Sequence, residues 1–306
     1  MHYLYFKSPK GNFGDDLNPW LWEKLWGDVS QVLQDTYFLG IGSILHNGNK
    51  NIKELQSENK IVFGSGIRPA SDYSHFQIDP TWDIRFLRGP LSSASLNNKY
   101  EYITDAAYAI RHIDNFESLY INQQKKYKIS LMPYFHSVEY FDWRTLCADL
   151  GIHYISPHSE NGVEETLKEI AQSEFLITEA MHGAILADAL RVPWHRFVLS
   201  SPHTEGGRVS EFKWEDWKSS LNIDKGEVSF FPFYTKSGRL NKWSKKLSGY
   251  KFSLENLNKK KVEELMRERF SKNRGLVYSL SEDSKLALAD EKIKVQIDRL
   301  NKDLSL

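Results

Sequence analysis

The sequence predicts an α/β fold of two stacked domains with a cleft between them and a helical C-terminal extension. Three observations predict it. Short β-rich apolar runs alternate with helical patterns, as parallel sheets covered by helices require. A length of 306 residues suffices for two ordinary domains, each with a sizeable core. After about Ser237 the strand patterning stops and only helical spacing remains. With 41% hydrophobic and 26% charged residues, the composition is that of a folded chain, not a disordered one.

In the first domain, 1–115, the runs from Tyr3 to Phe6, Tyr37 to Ile41, Ile61 to Phe63 and Ile84 to Leu87 read as strands. Helical stretches are expected near Asn18 to Trp26 and from Pro90 to about Asn97. The polar, weakly patterned interval from Arg111 to Lys126 reads as a link. The second domain, 127–236, repeats the alternation: strand Lys128 to Met132, helix near Val138 to Leu150, strand His153 to Ile155, helix Val163 to Ala171, strand Phe175 to Thr178, helix from Met181. In the extension, 237–306, Leu254, Leu257, Leu265, Met266 and Phe270 fall near helical spacing. Leu286, Ile293, Ile297, Leu300 and Leu304 form a narrow seam with Ser281 as its N-cap, and the seam is open to docking on its own chain or on a second copy as a homodimer contact.

Charge and cysteine content exclude several classes. Lys plus Arg and Asp plus Glu both number 40, so the chain has no overall nucleic-acid footprint. The excess is local: from Arg239 to Arg274 there are 12 Lys or Arg against 4 Asp or Glu. That stretch reads as a solvated face or as attraction to an anionic membrane surface. The single cysteine, Cys147, rules out an intrachain disulfide framework, and no signal peptide or apolar span is read, so a cytoplasmic protein is expected. No metal-ligand spacing is evident among the scattered histidines, and no D-x-D occurs.

Three glycine-bearing corners follow strands: "GNFGDD", "GIGSIL" and "GSGIRP". The last two begin G-x-G yet lack the third glycine of a dinucleotide fingerprint, and no phosphate-loop motif appears. They remain candidates for an anion-friendly rim at the carboxyl ends of strands, with Gly64, Ser65 and Gly66 approaching a ligand. Arg68 and Arg88 stand beside such corners, where a guanidinium can grip phosphate or carboxylate. Asp15 is a candidate base, and Asp16 a hydroxyl acceptor or an N-cap. The segment "TEAMHGAILADALRVPW" places His182 where a helix begins, with Glu179 before it and Gly183 after it.

In order along the chain, "GNFGDDLNPWLW", "GIGSIL", "GSGIRP", "LRGPLSSASL", "TDAAY", "LMPYFHS", "TEAMHGAILADALRVPW" and "FKWEDW" resemble the polysaccharide pyruvyl transferase family, in particular its ketal-forming exopolysaccharide members. The resemblance covers roughly residues 3 to 221. Many relatives carry arginine two places before the histidine, where this chain has Ala180. What the resemblance implies is a GT-B-like pair of Rossmann-type domains, phosphoenolpyruvate as donor with no further cofactor, and a sugar diol of a lipid-linked oligosaccharide as acceptor at the inner face of the membrane.

Ketal formation from phosphoenolpyruvate requires binding of a carboxylate and a phosphate and proton movement in both directions. Histidine suits that task, and a helix N-terminus is expected to keep the His182 ring neutral. His182, Asp15 and Glu179 are therefore the catalytic candidates. Arg88, Arg68, Gly64, Ser65, Gly66, His136, Gly183 and Lys213 are assigned to the donor, and Asn12, Asp16 and Trp214 to the acceptor. Asp105 reads as a structural turn residue. Ser200 to Glu211 reads as a mobile lid carrying His203, Glu205 and Arg208. Two alternatives stay open: a metal-independent nucleotide-sugar glycosyltransferase, and an inactive glycan-binding subunit of polysaccharide assembly.

Overall fold

The computed structural model describes residues 1–29, 32, 34–55, 57–69, 78–199, 207–224, 226–233, 254–271 and 275–304. Alternate residues of its strands are apolar on both sides, so each sheet buries two faces, as parallel strands must. The first sheet contains β1 (His2–Tyr3), β2 (Thr36–Leu39), β3 (Asn59–Phe63) and β4 (Trp82–Phe86), all parallel in the order β1-β2-β3-β4. The register sets Phe38 beside Ile61 and Leu39 beside Val62. Phe38, Ile61 and Phe63 join the main core, while Leu39 and Val62 face a smaller one with Leu45, Ile52 and Leu87.

The second sheet has the order β6-β5-β7-β8-β9, again parallel. Its strands are β5 (Tyr127–Met132), β6 (His153–Tyr154), β7 (Ser173–Thr178), β8 (Trp194–Leu199) and β9 (Val228–Phe231). From β5 the chain moves outward to β6 and then returns to place β7 on the other side. The carboxyl ends of β5 and β7 therefore frame a topological switch point, where open α/β sheets bind ligands.

Helix α1 (Phe13–Trp26) begins five residues before the expected start. Pro19 lies inside it and has no N–H to bond the Asp15 carbonyl. The Asn18 side chain fills that place, its Nδ2 donating to Asp15 O at 3.2 Å and to Ile41 O at 3.1 Å. Asp16 is consequently not an N-cap. It sits in the first turn, where its carboxylate accepts the Asn12 N–H at 2.9 Å. The first helical amide, Phe13 N–H, donates across to Pro157 O in the second half at 2.8 Å.

The remaining helices are α2 (Lys50–Glu54), α3 (Pro90–Ser95), α4 (Trp143–Leu150), α5 (Val163–Ala171), α6 (Met181–Ala189), α7 (Gly207–Ser220), α8 (Leu254–Ser271) and α9 (Asp283–Leu304). The expected lid is corrected in part: residues 207–211 open α7, whose Trp214, Asp216 and Trp217 are buried. His203 and Glu205 lie outside the described residues. The interval after Arg111 is not a bare link either, because Ile113, Phe116 and Tyr120 enter the main core.

Two expectations for the extension are also corrected. In α8 the buried side chains are Val262, Met266 and Phe270, while Leu257 and Leu265 are exposed. The seam residues Leu286, Ile293, Ile297 and Leu300 are buried within their own chain, with α9 against the 3₁₀ turn Ala106–His112, so they are not free for a dimer contact. Ser281 does not cap α9, because its N–H and hydroxyl both donate to buried Asp188, at 2.7 and 2.6 Å. Arg111 ties the same junction through Asp290 at 2.6 Å. No helix among the described residues is long and apolar enough to cross a membrane.

Candidate active site

The carboxyl ends of both sheets converge on one cavity of about 450 Å³. From the first sheet come Tyr5 and Phe6 after β1, Ser43 after β2, Arg68 after β3 and Arg88 after β4. From the switch point of the second come Tyr134, Phe135 and His136 after β5, and Glu179 to His182 after β7. Asn12, Gly14 and Asp15 of α1 and Ser210, Lys213 and Trp214 of α7 complete the wall. The parallel strand order of each sheet and the meeting of their carboxyl ends bring residues as distant in sequence as Tyr5 and Trp214 to one site.

His182 occupies the second position of α6, after Ala180 in extended conformation. Its ring abuts Gly14 so closely that a Cβ there would stand 2.0 Å from Nδ1. Gly14 is glycine for this approach. Nε2 is buried with no hydrogen-bond partner among the described residues and lies 3.9 Å from Asp105 Oδ1. Burial, then the positive charges of Arg88 and Lys213, push the ring down to about 3. The ring is neutral as expected, but through burial and cations.

Glu179 is 4% exposed yet borders the cavity. Tyr134 N–H donates to its Oε2 at 3.1 Å and Leu199 N–H to its Oε1 at 2.9 Å. Burial raises the carboxyl to about 7 against the pull of these donors, so it exchanges a proton near neutrality. Asp105 is fully buried and held at about 6 by burial, with the Arg88 charge acting the other way.

Arg88 is 1% exposed and its guanidinium is fixed at two of its three nitrogens. Nε donates to Asp216 Oδ2 at 3.0 Å, Nη1 donates to the Ser43 hydroxyl, and Nη2 is buried without a partner among the described residues. Asp216 is itself held by the Ser92 N–H at 2.9 Å and hydroxyl at 2.6 Å. Arg68 and Lys213 stand near enough to His46 for their charges, after burial, to lower its affinity for a proton. Arg68, Arg88 and Lys213 all line the cavity that Ala180 also borders.

Of the sequence-derived candidates, His182, Asp15, Glu179, Arg88, Arg68, His136, Lys213, Asn12 and Trp214 border this cavity. Five expectations are corrected. Gly64, with φ +81° and a would-be Cβ 2.8 Å from the Ala106 backbone, packs against the 3₁₀ turn. The Ser65 hydroxyl donates to Gly40 O at 2.6 Å, and Gly66 lies under the Arg88 guanidinium. These three position Arg88 and do not border the cavity. Gly183 faces Thr178 and Met132, where a helix packs on its own strand. Asp16 turns to the Gly11 loop, as described. Trp214 borders the cavity only narrowly: it is 3% exposed and the Arg196 guanidinium stacks on it, 4.3 Å from the ring centroid.

The residues that the sequence reading missed are Tyr134, Ser43, His46, Gly14 and Asp105. Tyr134 and Ser43 carry a signal, since each lies just past a strand's carboxyl end. His46 and Asp105 carry none, because tertiary packing alone brings them in.

Residues 12–201 match the family model for polysaccharide pyruvyl transferase. The chain is 37% identical over 223 residues to the succinoglycan biosynthesis protein ExoV of Rhizobium meliloti, a match covering 72% of this chain. It spans 64% of the length of that relative. It is also similar to a solved structure of a functionally uncharacterised Klebsiella pneumoniae protein, at 18% identity and a TM-score of 0.43, over 71% of this chain and 87% of that one.

Proposed function

The chain belongs to the polysaccharide pyruvyl transferase family, and from that membership we propose that it transfers pyruvate from phosphoenolpyruvate to a sugar diol of an exopolysaccharide repeat unit, as a ketal, with release of phosphate. One observation carries the donor reading. Arg68, Arg88 and Lys213 gather at one cavity around a neutral histidine and a carboxyl that titrates near neutrality. Three cations suit a ligand that bears both a phosphate and a carboxylate.

In this reading Glu179, protonated in part at pH 7, gives its proton to the C3 methylene, and C2 becomes oxocarbenium-like. One sugar hydroxyl attacks C2 as neutral His182 takes its proton. The bond from C2 to the phosphate oxygen breaks, and the second hydroxyl closes the ring while its proton leaves with phosphate. The His182 imidazolium then returns its proton through solvent to the Glu179 carboxylate, which restores the enzyme, and the balance is one phosphoenolpyruvate and one diol consumed, one ketal and one phosphate formed. Asn12, Asp15 and His136 would orient the sugar hydroxyls and the donor.

The two Rossmann-like units, 1–115 and 127–236, would then act as the halves of a GT-B-like cleft in a cytoplasmic enzyme. The extension 237–306 would lean on the inner face of the membrane, toward a lipid-linked acceptor. The test is phosphate release from phosphoenolpyruvate with galactose-, glucose- and mannose-terminated acceptors, wild type beside His182→Ala. Acceptor-dependent release abolished by the substitution is the expected result. No release with any acceptor, together with thermal stabilisation by nucleotide sugars, would transfer the assignment to a glycosyltransferase.

A further inference from the structure

We infer that Asp105 is the positioning residue of His182: its carboxylate faces ring Nε2, holds the Nε2–H tautomer, and leaves Nδ1 as the nitrogen that exchanges a proton with the substrate. The turn that Asp105 begins explains only part of its placement. Oδ1 accepts the Ala107 N–H at 3.0 Å, an ordinary cap of the 3₁₀ segment. Such a cap does not require burial, as Asp142 shows by capping α4 in the same manner from an exposed position. Asp105 is instead 0% exposed, and its Oδ2 has no partner among the described residues. A buried carboxylate oxygen left unbonded is costly, so its position calls for a second cause.

His182 stands beside the carboxylate: its Nε2 is likewise buried and unbonded, and it lies 3.9 Å from Oδ1, the oxygen that also accepts the Ala107 N–H. At that distance the carboxylate's charge already favours a proton on Nε2 over Nδ1 without a hydrogen bond, and a small ring movement would close one. The opposite nitrogen, Nδ1, lies on the Gly14 side, and Gly14 borders the cavity. The imidazole is therefore held between a carboxylate on its buried edge and a glycine on its open edge. Arg88 and Lys213 both disfavour a positive ring, so an imidazolium formed during reaction needs a nearby anion. Asp105 supplies it, as a buried aspartate does for a catalytic histidine elsewhere.

The identity of the proton's source, a sugar hydroxyl, rests on the pyruvyl-transfer reading, whereas the tautomer does not. The experiment is therefore nitrogen-15 spectroscopy of histidine-labelled full-length protein at pH 7.5, with His182 assigned through its loss in His182→Gln. Wild type is expected to show the Nε2–H form, and Asp105→Asn and Asp105→Leu a mixture with the Nδ1–H form. In Asp105→Asn, which keeps an oxygen for the Ala107 N–H, kcat should fall ~10²- to 10⁴-fold with KM little changed. An unchanged tautomer ratio in either folded variant overturns the inference. Should pyruvyl transfer survive His182→Ala, the base role of His182 fails while the transferase reading stands; should the wild type release no phosphate with any acceptor, the functional reading fails. In both cases the tautomer ratio still decides whether Asp105 sets the His182 ring.

Discussion

Gly14 and His182 show how one absent methyl group can fix a reactive ring. The Cβ of an alanine at position 14 would stand 2.0 Å from Nδ1 and 2.6 Å from Cγ, so the ring must rotate or retreat. Alanine favours a helix over glycine by about 1 kcal/mol, but forcing the His182 ring aside costs about 1–3 kcal/mol, so Gly14→Ala should fold with a modest net loss of stability. Its turnover should fall much further, ~10²-fold, the usual effect of a 1 Å displacement. Paired melting and phosphate-release assays would separate the two effects. The ring also sets a pH dependence. His182 titrates near 6.5 unfolded but only near 3 in the fold, so the stability it contributes is full above about 6.5 and is lost as pH falls toward 3. Urea midpoints across that window should fall less steeply for His182→Gln than for wild type. His182, Glu179 and Arg88 were legible in the sequence because each lies at a strand's carboxyl end. Asp105 was not, since its four-residue context reads as a turn and nothing local announces that a histidine 77 positions later will face it.

The elements repeat this division. Strands β5 and β7 were legible to within two residues, because Ile129, Leu131 and Met132 in one and Phe175 to Ile177 in the other stand out from polar flanks. Helix α1 was placed too late, since a proline usually marks a first turn, and only the tertiary position of Asn18 shows how the helix passes through it. Strands β8 and β9 were not read at all. Strand β8 carries His195 and Arg196, both buried, and their polarity masks the pattern that their partners satisfy: His195 Nε2 meets the Ser229 hydroxyl at 2.8 Å, and Arg196 pairs with Glu211. Helix α9 was legible as a helix but not in its destination, because a narrow apolar seam looks the same whether it meets its own chain or another. With Ile293 0% exposed in the main core, Ile293→Ala should cost about 2–5 kcal/mol in urea unfolding. A change within about 0.5 kcal/mol would mean that α9 is only loosely attached.

Across the whole molecule, the two sheets are not joined only by the polypeptide between them. Arg88 at the end of β4 meets Asp216 of α7, the first amide of α1 meets Pro157, and α9 lies on the turn Ala106–His112. The cavity is bordered from both sides by residues fixed in this way. Such ties have no sequence signature, which is why the two-unit plan was readable and the interlocking was not. They also have a consequence for how the protein is made. The turn Ala106–His112 leaves the ribosome well before α9, the helix that packs on it, by roughly 10–40 s at 5–20 residues per second. Until then that turn lacks one of its helical neighbours, α1 and α6 being the others. This protein is one for which a chaperone holding the emerging N-terminal half, or a slow stretch of translation, would change the yield of soluble product without altering a single contact of the finished fold.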